Sequence, residues 1–164
     1  MINFQELEKD MKDLENINYY NKPPYGIYAV TIIDIQRKHD TERKRDQIII
    51  FYKIMGGDYK NFGIRDSFFL SENATKSTQL FQYSNIKSFF QTIAPEIKWI
   101  FENMDQLESA FVMYKHAINN TIYQIIYKQD RKGYDRVYFQ NNFLNFKDDS
   151  LENKDTKSFE MNDP

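Results

Sequence analysis

The chain has 164 residues, enough for one domain with a buried core, and 41% of them are hydrophobic. It contains no cysteine, which excludes disulfide bonds, thiolate zinc sites and a cysteine nucleophile. No stretch approaches the roughly 20 apolar residues of a membrane span, and the first residues carry neither a basic region nor an apolar run. We therefore expect a soluble cytoplasmic protein with no secretory signal and no contact with a membrane.

Charge is unevenly distributed along the chain, although the formal net charge is only −2. Residues 1–21 and residues 147–164 each carry a net charge of −3. Residues 22–146 hold 17 Lys and Arg against 13 Asp and Glu, a net charge of +4. A mildly basic body between acidic ends is typical of a protein that meets phosphate with one surface, but ordinary scatter over a solvated surface explains the same numbers.

The first half of the chain predicts one helix and three strands. The helix covers residues 3–15, with Asn3 as N-cap and apolar residues at intervals of three and four. Three segments with alternating apolar residues follow and are predicted as strands: residues 26–35, 47–55 and 62–70. In the second strand, Lys53 marks the wetter of the two faces, which makes Phe51 a candidate exposed aromatic residue.

The second half predicts helices followed by a hairpin. Residues 75–113 have a largely helical pattern that breaks near Pro95, and Asp105 followed by Glu108 indicates the start of a further helix. Strands are predicted over residues 120–128 and 134–139, joined by a turn at residues 130–133. After Phe146 the sequence is polar and acidic without periodicity, so residues 147–164 are predicted to be a disordered tail.

The resulting order, β-β-β-α-β-β, predicts an α+β protein of mostly β structure. It is the order of an OB-like five-stranded barrel with an N-terminal helix, a helical insertion between strands 3 and 4, and a disordered acidic C-terminal tail. We expect residues 1–146 to form a single OB-like domain and residues 147–164 to be an acidic flexible tail. Other small barrels share this order of elements.

Two basic segments occupy matching places in this order. Residues 37–46 form a charged loop between strands 1 and 2, and residues 128–136 surround the turn that joins strands 4 and 5. In an OB barrel these two loops flank the groove that holds single-stranded nucleic acid. We expect both to contact phosphates, with affinity that falls as salt rises. The alternative is a charged hairpin tip that keeps a sheet edge soluble, and Asp40, Glu42 and Asp46 favour it.

Aromatic residues in the strands are candidate platforms for bases, because a stacked base contributes about 1–3 kcal/mol and stacking tolerates any sequence. Tyr123 and Tyr138 belong to this group, although an aromatic residue in an alternating strand is more often part of the core. The candidate nucleic-acid-binding residues are Arg37, Lys38, Arg43, Lys44, Arg45, Phe51, Lys53, Lys60, Arg65, Tyr127, Lys128, Arg131, Lys132, Tyr134 and Arg136.

Two segments resemble a known family. Residues 26–32, GIYAVTI, fit its opening pattern G-x-Y-x-V-x-I, and residues 51–62, FYKIMGGDYKNF, look like its F-K-I-x-x-G-x-Y-K-G-R segment, with Asn61 in place of the second glycine. The family is a widespread phage family long catalogued as domain of unknown function number 669. The resemblance extends over most of residues 1–139. It implies a protein that binds single-stranded DNA in the cytoplasm of an infected host, encoded beside recombination and replication genes.

From these patterns we expect a non-catalytic single-stranded DNA-binding protein acting in phage DNA replication or recombination. His39 and His116 have no partners at metal-ligand spacing, and no phosphate-binding loop occurs, so we expect no enzyme, metal or cofactor. The acidic tail would contact phage recombinase or replication proteins, and homo-oligomerisation is open. The alternative is a protein-binding module, such as an inhibitor of a host defence enzyme or a recombinase accessory factor.

Overall fold

The computed structural model describes residues 1–15 and 22–140, so the predicted tail over residues 147–164 lies outside the described residues. Four helices occur within these ranges: α1 (Phe4–Glu15), α2 (Lys76–Ile93), α3 (Met104–Ser109) and α4 (Phe111–Ala117). Five strands accompany them: β1 (Gly26–Asp40), β2 (Arg45–Ile54), β3 (Gly63–Ser71), β4 (Tyr123–Gln129) and β5 (Asp135–Phe139). The predicted α+β class and the order β-β-β-α-β-β are confirmed.

The strands form one antiparallel sheet in the order β3-β2-β1-β4-β5. The register places Ile27 opposite Ile126 on the β1–β4 side, and Ile126 opposite Tyr138 on the β4–β5 side. Within the described residues, the outer strands β3 and β5 do not pair with each other, so the sheet is open rather than closed into a barrel.

By backbone contacts the chain divides into two compact units. Unit 1 comprises Met1–Thr31, Tyr52–Ile64 and Ile122–Pro164, and unit 2 comprises Ile32–Phe51 and Arg65–Thr121. The core of unit 1 contains side chains that are at most 1% exposed: Val30, Tyr52, Ile54, Tyr123 and Ile125. The core of unit 2 is built in the same way from Ile48, Ile50, Phe90 and Tyr114, and the rings of Phe90 and Tyr114 lie 4.7 Å apart. The prediction of a single domain over residues 1–146 stays a prediction.

The first hairpin differs from its prediction. β1 continues to Asp40 and β2 begins at Arg45, so the predicted loop over residues 37–46 is wrong and the turn covers residues 41–44 alone. Cross-strand hydrogen bonding does not stop at charged residues, and the antiparallel ladder therefore continues to the turn. Asp40 Oδ1 accepts the backbone N–H groups of Glu42 and Arg43, both at 3.1 Å, and this closes the turn.

The β2–β3 connection contains an asparagine with a left-handed backbone conformation. The backbone of Asn61 has φ +72°, the left-handed region in which glycine is favoured and asparagine is among the few tolerated alternatives. Ile54 accepts from Asn61 N at 2.8 Å and donates to Phe62 O at 2.9 Å. Two residues thus oppose one, as in a G1 bulge, and Asn61 meets the same backbone requirement as a glycine.

The helices begin at caps that the sequence predicts only in part. Asn3 caps α1 as predicted, since its Oδ1 accepts Gln5 N at 2.9 Å. The further helix predicted at Asp105 is present as α3, but its N-cap is Asn103 rather than Asp105, because the Oδ1 of Asn103 accepts Gln106 N at 2.9 Å. α2 ends at Ile93, before Pro95, as predicted.

Candidate nucleic-acid interface

One face of β2 and β3 in unit 2 combines arginine and phenylalanine side chains. Successive strand residues point to opposite faces, so the buried residues Ile48 and Ile50 define the inner face of β2. The alternate positions of the two strands therefore lie on the outer face. We call this surface the Arg–Phe face, and it consists of Arg45, Gln47, Phe51, Arg65, Ser67 and Phe69.

Each end of the Arg–Phe face carries a guanidinium over an aromatic ring. The Cζ of Arg45 lies 4.6 Å from the ring centroid of Phe69, and the Cζ of Arg65 lies 5.1 Å from that of Phe51. Arg65 is exposed, and the other three residues are half-buried. Each pair therefore places a cation that can meet phosphate next to a ring that can stack on a base.

The middle of the Arg–Phe face contains one polar residue pair and, beside it, a buried apolar side chain. Gln47 Nε2 donates to Ser67 Oγ at 3.0 Å, which joins the two strands on this side. Ile49 has the same orientation as Gln47 but is only 2% exposed, so the centre of the face is apolar and shielded from water. The groups of this face that a ligand can reach are therefore the two arginine–phenylalanine pairs at its ends, a composition that suits a ligand with flat rings on an anionic backbone.

A shallow depression continues the face onto the first hairpin. It has a volume of about 400 Å³ and is lined by Lys38, His39, Asp40, Thr41, Glu42, Arg45 and Gln47. Lys38 is exposed in β1, and Arg43 and Lys44 are exposed in the turn, where Lys44 has φ +51°. The predicted basic residues Lys38, Arg43, Lys44 and Arg45 thus belong to one hairpin, together with the Asp40 and Glu42 carboxylates.

Arg37 has a structural environment that the prediction missed. Its side chain is 12% exposed, and the guanidinium contacts three carboxylates: Asp46 at 2.8 Å, Asp105 at 2.5 Å and Glu108 at 3.1 Å. Burial lowers the pKa of Arg37, but the hydrogen bonds to these carboxylates outweigh it and hold the pKa above its ordinary value. His39 Nδ1 lies 2.9 Å from the same Asp46 carboxylate. We therefore remove Arg37 from the candidate phosphate ligands.

The cause is a change of face within β1. Ile32 and Ile35 are both buried although they lie three residues apart, which is the spacing produced by a β-bulge. Beyond Ile35 the odd positions share the inner face, and Arg37 points toward α3 while Lys38 points away. This change of face separates Arg37, which contacts α3, from Lys38, which is exposed.

The second basic segment belongs to unit 1 and has a turn of the predicted kind. Asp130 Oδ1 accepts Lys132 N at 2.8 Å and Tyr134 N at 3.0 Å, and Gly133 has φ +86°. Arg131 and Lys132 are exposed at the tip, and Tyr134 is 67% exposed. This hairpin presents the predicted cations and one exposed aromatic ring to solvent.

The strands behind this turn separate the predicted tyrosine platforms. Tyr138 is 38% exposed, and the Nζ of Lys128 lies 5.1 Å from its ring centroid. Arg136 is half-buried directly opposite Lys128 in the ladder. Tyr123 and Tyr127, by contrast, are 0% and 5% exposed, because strand alternation places both on the inner face. Neither offers a surface for stacking, so the prediction for Tyr127 is corrected.

Tyr127 belongs to a polar cluster that ties the residues before β1 to β5. Its hydroxyl lies 3.3 Å from Asp135, which also accepts from Tyr25 at 2.5 Å and pairs with Lys22 at 2.9 Å. Burial and the nearby Asp135 charge raise the pKa of Tyr127 to about 12. For Asp135, burial raises the pKa, but the hydrogen bonds from Tyr25 and Lys22 outweigh it and lower the pKa overall.

The remaining predicted cations are dispersed. Lys53 is half-buried on the face of β2 that was predicted to be wetter, and Lys60 is exposed in the β2–β3 turn. Phe69, Gln47 and Ser67 were missed, although the alternation Arg65-x-Ser67-x-Phe69 places them on one face and could have found them. The structure places Arg45, Arg65 and Phe51 on one surface, so these three of the predicted nucleic-acid-binding residues lie together.

The described residues contain no group of three or more His, Asp or Glu side chains placed to hold a metal ion. Among the same residues, none of the helices has both the length and the apolar character that a membrane crossing needs. Comparison of the chain with protein-family models, with curated proteins and with solved structures finds no match in any of the three.

Proposed function

We propose that this protein binds single-stranded DNA without catalysing a reaction, using the Arg–Phe face of β2 and β3. The observation that carries the proposal is the pair of guanidinium–ring contacts, Arg45 with Phe69 and Arg65 with Phe51, at 4.6 and 5.1 Å. Single strands expose the flat faces of their bases, whereas in a duplex those faces are stacked on each other. A surface of this composition therefore favours a single strand over a duplex.

The strand order supports an OB-like architecture for this function. The order β3-β2-β1-β4-β5 is that of an OB barrel opened between its third and fifth strands. In OB folds, the face of strands 2 and 3 and the loops after strands 1 and 4 bind oligonucleotides. In unit 2, the Arg–Phe face and the β1–β2 hairpin correspond to two of those positions, and Lys38, Arg43 and Lys44 would add phosphate contacts at this hairpin.

A role in phage DNA replication or recombination is proposed from the resemblance in residues 26–32 and 51–62. The bulge at Asn61 is compatible with that resemblance, because this residue adopts the backbone conformation that the family's glycine would adopt. The expected partners in that role are single-stranded DNA and the recombinase or replication proteins that act on it.

Fluorescence anisotropy with labelled oligo-dT, duplex DNA and RNA of equal length, at low and moderate salt, tests the proposal. We expect salt-sensitive binding that prefers the single strand, since phosphate contacts release counterions. An Arg65→Ala variant should bind oligo-dT more weakly, while Lys98→Ala, which removes an exposed cation from the same unit, serves as the matched control. Absence of binding to any of the three nucleic acids at low salt would refute the proposal.

A protein-binding module is the second candidate function, and one observation favours it. Phe4 and Leu7 on α1 are 76% and 48% exposed, although both are apolar and lie on one side of the helix. A helix with such a stripe commonly docks into a complementary surface. The two candidates differ in their ligand, and the anisotropy measurement separates them directly.

A further inference from the structure

The outer face of β1, β4 and β5 in unit 1 carries an apolar row with basic residues at one end. Ile27, Ile126 and Tyr138 are consecutive partners across the three strands. Ile27 and Tyr138 are 42% and 38% exposed, so the row is accessible. Lys128 lies beside Tyr138, and Lys132 is exposed at the hairpin tip. We call this surface the Ile–Tyr face.

Helix α1 has the complementary character. Its 12 residues include five Asp or Glu and two Lys, and its apolar residues recur at intervals of three and four from Phe4. At about 100° per residue, Glu8 lies next to the stripe of Phe4 and Leu7, while Lys9 lies on the far side of the helix. An acidic flank beside exposed apolar side chains is the counterpart of an apolar row with a basic end.

We propose that α1 of one copy of this protein docks on the Ile–Tyr face of a second copy. Burial of Phe4 and Leu7 against Ile27 and Tyr138 supplies the apolar contact, and the acidic flank of the helix meets the cations of the β4–β5 hairpin. In the structure of the single chain both apolar surfaces are exposed, which is the arrangement expected of two halves of an interface separated from each other.

The dimensions of the two surfaces agree. Neighbouring strands lie about 4.8 Å apart, so the row from Ile27 to Tyr138 spans roughly 10 Å between backbones. A helix rises about 1.5 Å per residue, so seven residues of α1 counted from Phe4 also span roughly 10 Å. Helix α1 is therefore long enough to cover the complete row.

The proposed contact is heterologous, because a helix of one copy meets a sheet of the next. The pair keeps one free helix, on one copy, and one free sheet face, on the other, so further copies can add. Self-association of this kind does not depend on the proposed function in nucleic-acid binding. It increases with protein concentration in the absence of DNA.

Sedimentation velocity of the full chain over a hundredfold concentration range tests the proposal. Reversing charge on the helix, with Glu6→Lys and Glu8→Lys, should abolish the increase in sedimentation coefficient, and so should Lys128→Glu with Lys132→Glu on the sheet. A mixture of the two variants should recover association, because each pair then contains one intact interface. Far-UV circular dichroism checks that both variants are folded.

Disulfide capture adds a measurement that does not rely on charge. Because the chain contains no cysteine, Leu7→Cys in one copy and Ile27→Cys in another should give a mixed dimer on mild oxidation. Leu7→Cys mixed with Lys60→Cys, at an exposed turn of the same unit, is the matched control and should give far less product.

The results that overturn the proposal are specific. A monomer at every concentration would exclude it, and so would association that both charge-reversed variants retain. Failure of the mixture to recover association would show that α1 and the Ile–Tyr face are not partners in one interface. Loss of oligo-dT affinity in Lys128→Glu/Lys132→Glu, with unchanged self-association, would assign the face to nucleic acid.

Discussion

Removing both arginines of the Arg–Phe face should change the salt dependence of oligo-dT binding, whereas altering its rings should not. The two perturbations are Arg45→Ala with Arg65→Ala, and Phe51→Leu with Phe69→Leu. The arginines would neutralise phosphates and release counterions, and the rings would stack on bases without changing the charge of the complex. A salt titration can therefore separate the electrostatic contribution of the arginines to binding from the stacking contribution of the rings.

The magnitudes follow from the contacts. For single strands the slope of log K against log salt changes by about 0.7 per phosphate contact, so the arginine variant should lose about 1.4 from the slope. Phosphate contacts of partly exposed cations are screened at moderate salt, so we take the binding free energy of each arginine as about 1 kcal/mol. Loss of both arginines should then cost about 2 kcal/mol, which is roughly a 30-fold loss of affinity. The ring variant should lose about 1–3 kcal/mol per stacked base at every salt concentration.

The assay is anisotropy of labelled oligo-dT at five salt concentrations, with each variant first checked by urea denaturation. An exposed guanidinium–ring contact stabilises by about 0.5–1 kcal/mol, so the arginine variant should remain folded. Lys76→Ala with Lys98→Ala removes two exposed cations from unit 2 and serves as the charge-matched control. An arginine variant with the wild-type slope, or a control variant with the same loss, would refute the assignment of phosphate contacts to this face.

Substitutions at three further residues test the structural assignments. Arg37→Ala should lower the free energy of unfolding in urea by about 2–3 kcal/mol, since Asp46 loses its nearest cation, and a loss of oligo-dT affinity at unchanged stability would contradict this. Asn61→Val should lower the free energy of unfolding by about 1–2 kcal/mol, because the φ of +72° at this position disfavours a β-branched residue. Asn61→Gly should leave the free energy of unfolding almost unchanged. Folding raises the pKa of Tyr127 from 10.0 to about 12, so the folded state keeps a proton that the unfolded chain loses, and stability should fall from pH 10 to pH 12. Tyr127→Phe should make that decline shallower in denaturation curves measured across this pH range, and an unchanged decline would count against the assignment.

The sequence predicted the elements whose signal is local. Alternating apolar residues located all five strands, and the Asp130–Gly133 turn has the backbone that its residue types require, with Gly133 at φ +86°. Strand ends were less predictable, because a charged residue at the end of a strand can still pair with the neighbouring strand. The extension of β1 to Asp40 depends on its partner in β2 rather than on its own composition.

The candidate site shows why the environment of a single basic side chain is harder to predict than the position of a strand. Arg37 and Lys38 are adjacent, share a charge and were predicted alike, yet Arg37 contacts Asp105 and Glu108, which lie 68 and 71 residues further along the chain. Its orientation depends on the change of face between Ile32 and Ile35, and its partners depend on where α3 packs. Neither is encoded in the residues next to it. By contrast, the partnership of Arg65 with Phe51 requires only that β2 and β3 be neighbours in a hairpin, and alternation then places both side chains on the same face. Sites formed across one hairpin can therefore be predicted from periodicity, and sites formed by distant elements require the structure.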